Sequence, residues 1–138
     1  MKSLVLLVYL FFMVTNAVKT IEEYRWEKRI VITNFENMKL DPILEGKGEN
    51  IDQRKLLFVE FEHGEYIKNT EQDVVDPAGF LKVLSRNSQN PEWVLIGLDG
   101  GIKASGKRDD FSLNRIFQLI DQMPMRKSEL IGDSTFFK

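Results

Sequence analysis

The chain contains no cysteine. That excludes thiol redox chemistry, cysteine nucleophiles, thiolate metal centres and thiol-linked lipid anchors, and it leaves the fold to be held by its core without disulfides. Histidine is almost as scarce, with His63 the only imidazole. No site can be built from several histidines, and Glu62-His63-Gly64-Glu65 reads as a solvated turn before it reads as a metal site. An excess of positive charge is also missing. Lys and Arg total 19 against 21 Asp and Glu, a net charge of −2. Nucleic acid is therefore not an expected partner, because a phosphate backbone requires a basic face. Neither internal repeats nor low-complexity tracts occur.

No apolar run reaches the roughly 20 residues that a helix needs to cross a bilayer. The longest extends from Leu4 to Val14, after the lone charge of Lys2 and before Thr15-Asn16-Ala17. A short apolar run ending in small residues is the pattern of a secretory signal peptide, here residues 1–17, cleaved after Ala17. An uncleaved N-terminal anchor is the alternative reading. The expectation is an exported protein, periplasmic or secreted, whose residues 18–138 form one domain with no membrane span. That length is enough to bury a core without covalent staples.

Thr20 with Glu23 has the spacing of a capping box and opens a short helix through Tyr24 and Trp26. Arg29 to Phe35 is β-branched and apolar, as a strand covered on both faces requires. Leu56 to Glu62 is a second strand, passing from a dry end to a wet end marked by Glu60 and Glu62. Between them, Pro42, Gly46 and Gly48 permit only a short helix around Pro42 to Glu45. Asp76-Pro77 starts a helix that ends near Arg86. Trp93 to Leu98 is a central strand, and Asp99-Gly100 turns it into a hairpin with Ile102 to Ser105. Asp109 or Asp110 can cap a last helix, with Leu113, Ile116, Phe117 and Ile120 on one face, interrupted at Pro124. This order predicts an α/β fold of thioredoxin-like plan, a mixed sheet of about four strands with helices on both faces.

Three segments carry a resemblance: Trp26-Glu27-Lys28-Arg29, Gly97-Leu98-Asp99-Gly100-Gly101-Ile102-Lys103, and Ile120-Asp121-Gln122-Met123-Pro124-Met125-Arg126-Lys127-Ser128-Glu129. In this order they resemble the P-DUDES domain family, a domain of unknown function found in exported bacterial proteins, in equarin and in sushi-repeat proteins. Trp26, Arg29, Asp99, Gly100, Gly101 and Pro124 are its fold-defining positions here. The resemblance covers about residues 25–130 and implies a thioredoxin-like or peroxiredoxin-like fold, with no activity implied. Residues 37–50 depart from it, having two glycines and a proline where a regular helix is expected.

In thioredoxins the reactive cysteines sit where the first strand enters the first helix. The corresponding residues, Phe35-Glu36-Asn37-Met38, cannot form a thiolate, so the fold comes without its chemistry. Pro91 lies near the position of the thioredoxin cis-proline, which leaves the Asn90–Pro91 bond open to either isomer. Glu60 and Glu62 are explained by strand alternation without an acid and base role. Ser105 and Ser112 lack a nucleophile pattern. Asp99 is what a tight hairpin selects, Lys103 suits an edge strand, and Arg126 and Lys127 suit a helix end. No catalytic residue, metal ligand or cofactor is assigned.

Three functional classes stay open. The leading one is a non-redox module, binding or structural, that contacts an unidentified envelope or extracellular protein, with Lys103, Met125, Arg126 and Lys127 as candidate contacts. The second is a thiol-independent enzyme or small-ligand carrier with a pocket between residues 36–50 and 87–92. The third is a purely structural or inhibitory protein.

Overall fold

A computed structural model describes residues 17–135. The expected signal peptide, apart from Ala17, and the end at 136–138 lie outside the described residues. Five strands, β1 (Arg29–Asn34), β2 (Leu56–Glu62), β3 (Glu65–Asn69), β4 (Trp93–Ile96) and β5 (Ile102–Gly106), form one sheet in the order β3-β2-β1-β4-β5. The β1–β2 pair is parallel and the other three neighbours are antiparallel. The helices are α1 (Asp41–Leu44), α2 (Gly48–Gln53), α3 (Pro77–Ser85), α4 (Leu113–Asp121) and α5 (Pro124–Thr135), with 3-10 turns at Ile21–Tyr24 and Arg108–Asp110.

Strand alternation divides the core into two layers. Ile30, Ile32, Leu57, Val59, Val94 and Ile96 meet Phe80 and Leu84 of α3 and Tyr24 of the first turn. Val31, Leu56, Phe58, Trp93 and Leu95 meet Ile51 of α2 and Leu113, Ile116 and Ile120 of α4. Each such large side chain, once fully buried, contributes about 1.5–3 kcal/mol before conformational entropy is subtracted. The sheet thus lies between helices on both faces, as the element order predicts and consistent with a thioredoxin-like plan. It has five strands where the sequence suggests about four. The additional one, β3, returns from β2 through His63 and Gly64, both at positive φ (50° and 76°). Glu65-Tyr66-Ile67-Lys68-Asn69 escapes a periodicity reading because it is an edge strand exposed along most of its length.

Other local expectations change for identifiable reasons. The first helix stops at Tyr24, so Trp26 lies beyond it. The irregular segment holds two short helices, and Glu60 and Glu62 help fix it: Leu40 N donates to Glu60 Oε1 (3.3 Å) and Asn37 N to Glu62 Oε1 (3.4 Å). Glu60 is therefore buried rather than solvated. Ser112, not Asp109 or Asp110, caps α4, its hydroxyl accepting from Arg115 N at 3.1 Å. Pro124 separates α4 from α5, where a proline suits the first helical position. Every described peptide bond is trans, Asn90–Pro91 included.

Candidate functional site

The three segments singled out in the sequence meet at one end of the sheet, where β1 begins and β4 turns into β5. The turn is closed by Gly100 N to Gly97 O (3.0 Å) and Gly97 N to Gly101 O (2.9 Å). Gly100 alone in this turn has a positive φ, at 83°, so it is a longer loop than the two-residue Asp-Gly turn. Asp99 braces it, accepting from Lys103 Nζ (2.9 Å) and Gly101 N (3.0 Å). Those two donors, Lys103 first, hold the Asp99 carboxyl below the usual carboxylate range.

Trp26 is tied to the same turn, its backbone N–H donating to Leu98 O at 2.7 Å. Its φ of 68° is left-handed, and its side chain is 61% exposed. For a side chain of this size that conformation costs roughly 1–2 kcal/mol. The neighbours that impose it are firmly held. Tyr24 is buried and donates its hydroxyl to Asp73 at 2.8 Å, and burial, reinforced by that carboxylate, pushes the Tyr24 phenol well above its ordinary range.

Arg29, three residues further on, is 0% exposed. Its guanidinium donates to Arg54 O (2.9 Å) and to both Glu129 oxygens (3.3 and 3.4 Å). Arg126 is 5% exposed and shares Glu129 (3.4 Å), donates to Gln53 O (2.7 Å), and lies 3.5 Å from Asp121. Arg54 closes the network on Asp121 through Nε (3.0 Å) and a second nitrogen (2.8 Å), and stacks 4.3 Å from the Phe117 ring centroid. Arg54 first, then Arg126, draws the Asp121 carboxyl below its ordinary range. Arg126 and Glu129 thus fasten α5 to the end of α2 and the start of β1, and Asp121 fastens the end of α4 to Arg54 just after α2. Of the four candidate contacts, Arg126 is engaged inside the chain, while Lys103, Met125 and Lys127 are exposed.

Two clefts flank the Gly97–Lys103 turn. One, of about 260 Å³, lies on the α5 side and is lined by Leu98, Lys103, Met123, Pro124 and Met125, with Arg29 beneath. The other, of about 250 Å³, lies on the α3 side, with Ile30, Ile96 and Ile102 along it and Arg25, Lys28 and Arg86 among its cations. Sequence reasoning missed Arg25 and Arg86, because each stands in a loop or helix end with nothing in its spacing to link them. A third cleft, of about 470 Å³, sits at the opposite edge between α1 and β3. Residues 36–50, expected to share a pocket with 87–92, line this third cleft through Leu40, Asp41 and Leu44.

Among the described residues, no group of three or more His, Cys, Asp or Glu side chains is placed to hold a metal ion. His63 Nδ1 lies 3.4 Å from Glu36 Oε1, both on exposed side chains. No described helix is long and apolar enough to cross a membrane.

Comparison with known proteins gives one match. The family model described as a domain of unknown function, DUF4174, matches residues 20–129, which include all three segments. No curated protein and no solved structure matches. The chain belongs to the DUF4174 family.

Proposed function

We propose that this DUF4174 member is an exported, non-redox domain of the P-DUDES type that binds an envelope or extracellular protein at the corner formed by Trp26, Lys103, Met125 and Lys127. The observation that carries the reading is Trp26: a large, solvent-facing ring kept in an unfavourable backbone conformation by a hydrogen bond to the neighbouring turn. Local strain of this kind collects at binding surfaces, and aromatic anchors dominate interface energetics. Ile102 and Met125 add exposed apolar surface, at 50% and 42%. Among the described residues β5 pairs only with β4, which leaves the backbone groups of its outer edge open to an added strand. Lys103, which would discourage such pairing, is neutralised by Asp99. The partner that fits is an extended segment with apolar side chains. Export rests on the signal-like pattern over residues 1–17.

Crosslinking in intact cells tests the binding role. The wild type should capture a discrete protein, and Trp26→Ala with Met125→Glu should lose it while melting at an unchanged temperature. Equal capture by that variant overturns the surface. For export, N-terminal sequencing of protein from outside the cytoplasm should begin at Val18, and a chain retained in the cytoplasm with Met1 in place would contradict it.

A further inference from the structure

The α3-side cleft joins an apolar wall to two arginines whose side chains have no partner among the described residues. Its wall is made by Ile30, Ile96 and Ile102, the first two buried and the third half exposed. Lys28 is committed to Glu71 at 2.7 Å. Arg25 and Arg86 differ, since neither side chain has a hydrogen bond or ion pair among the described residues, although both are exposed and line the cleft. Glu22 is the one carboxylate in the lining, so the two free guanidiniums leave an excess of positive charge. Arg86 stands at the C-cap of α3, where helix carbonyls favour a cation.

The turn is shaped to receive Arg25. A Cβ placed on Gly100 would stand 2.8 Å from Arg25 Nε and 3.0 Å from a terminal nitrogen, so the guanidinium lies directly against this glycine backbone. Gly100 therefore meets two requirements at once, a positive φ of 83° and room for the arginine above it.

We infer that this cleft binds a small organic monocarboxylate, its apolar body on Ile30, Ile96 and Ile102 and its carboxylate between Arg25 and Arg86. Guanidinium is suited to carboxylate because its planar donors match two oxygens at once. An inorganic anion would leave the apolar wall unused, and a neutral apolar molecule would leave both arginines unpaired. At about 250 Å³ the cleft is of a size for one ring with a short acid tail. This inference does not depend on the proposed protein-binding corner: the acid is held by Arg25 and Arg86, which that corner does not use, although Ile102 borders both surfaces.

The test is a titration of 15N-labelled protein with 3-phenylpropionate and, separately, with the uncharged 3-phenylpropionamide, followed by amide chemical shifts. Saturable shifts at Arg25, Gly97, Gly100 and Ile102 are expected for the acid, with a Kd on the order of 1 mM, for which −4 kcal/mol of binding free energy suffices, roughly. Arg25→Gln and Arg86→Gln should each weaken binding about tenfold, the usual loss for one charge-assisted hydrogen bond. Both residues are exposed, so unchanged spectra elsewhere will show that the variants fold. Lys47→Gln, at the exposed N-terminus of α2 and outside the cleft, should bind like wild type. The inference is overturned if the acid gives no saturable shifts, if the amide binds as tightly, or if the double arginine variant retains wild-type affinity.

Discussion

The two ends of this sheet carry opposite kinds of chemistry. Where β1 runs out, Phe35 is buried edge-on against Phe111, 5.2 Å between ring centroids, and Phe111 in turn meets Trp93 at 5.9 Å. Glu60, Glu62 and Arg108 hold the following loop by its backbone, Arg108 donating to Glu36 O at 3.0 Å. On the thioredoxin-like plan expected from the sequence, this end would hold the thiols, and here it is closed with aromatic packing. Where β1 begins, three arginines surround two carboxylates, a tryptophan is exposed on a strained backbone, and two clefts open beside a glycine-rich turn. A fold plan alone does not assign a function to either end of a sheet; that depends on the side chains placed at the strand ends.

The sharpest way to break this contrast is to damage the packed end. Phe35→Ala removes a buried ring packed edge-on against Phe111 and should cost about 3–5 kcal/mol in denaturant unfolding. If that end is purely structural, crosslinking to a partner at low temperature should survive in the fraction still folded. Loss of capture with stability intact would place function at the thioredoxin-like end instead.

At the other end, Glu129→Gln takes away the carboxylate shared by Arg29 and Arg126. Both guanidiniums are buried, so an uncompensated charge follows, and a loss of about 3 kcal/mol is expected in the same assay. Replacing Arg126 by a glutamate would be a poor probe of surface binding for this reason, since it disrupts the anchoring of α5. A loss below about 0.5 kcal/mol would mean that the network is ornamental to stability.

Gly100→Ala tests the turn itself. The positive φ disfavours any Cβ, and the new methyl group would displace Arg25, so a destabilisation of about 1–2 kcal/mol is expected by thermal melting. Binding of 3-phenylpropionate should weaken in parallel, because the arginine loses its seat. Unimpaired acid binding would show that Arg25 reaches the ligand from some other position.

Asp121 supplies a pH-dependent test of the same end. Its carboxyl is held below the ordinary range chiefly by Arg54, so the folded state binds its proton less readily than the unfolded chain does. The contribution is complete above the unfolded carboxylate pKa of roughly 3.9 and disappears as pH falls through the lower folded value. With the side chain 39% exposed, solvent limits it to about 1 kcal/mol or less. Asp121→Asn should lower stability at neutral pH by that amount and flatten this part of the acid limb of the stability curve.

Much of the layered fold is legible in the sequence because its signals are local and strong. Asp76-Pro77, the unbroken apolar run of Trp93 to Ile96 and the stripe of Leu113, Ile116 and Ile120 each name their element. β3 is not legible, since an exposed edge strand needs no apolar face; of the two short helices before β2, the first falls about where Pro42 predicts it, and the second, Gly48–Gln53, is not signalled because it begins on a glycine. The site was visible only as motif segments. Their order revealed that they belong together, but not that Arg126 turns inward to Gln53 while Arg25, outside the expected set, lies free against Gly100. Such distinctions depend on contacts between residues about 70 positions apart, which no spacing rule encodes.

The smallest structural effect should accompany the largest change in recognition. Trp26→Asn keeps a residue that tolerates the left-handed backbone and removes only an exposed ring. Its melting temperature should therefore stay near wild type, with a stability change within about 0.5 kcal/mol. Capture of the crosslinked partner should nevertheless fall to background, because the anchor is gone. If capture persists while stability drops by more than about 1 kcal/mol, the ring is supporting the turn instead of a partner, and the strain at Trp26 is a structural consequence of joining the first 3-10 turn to β1.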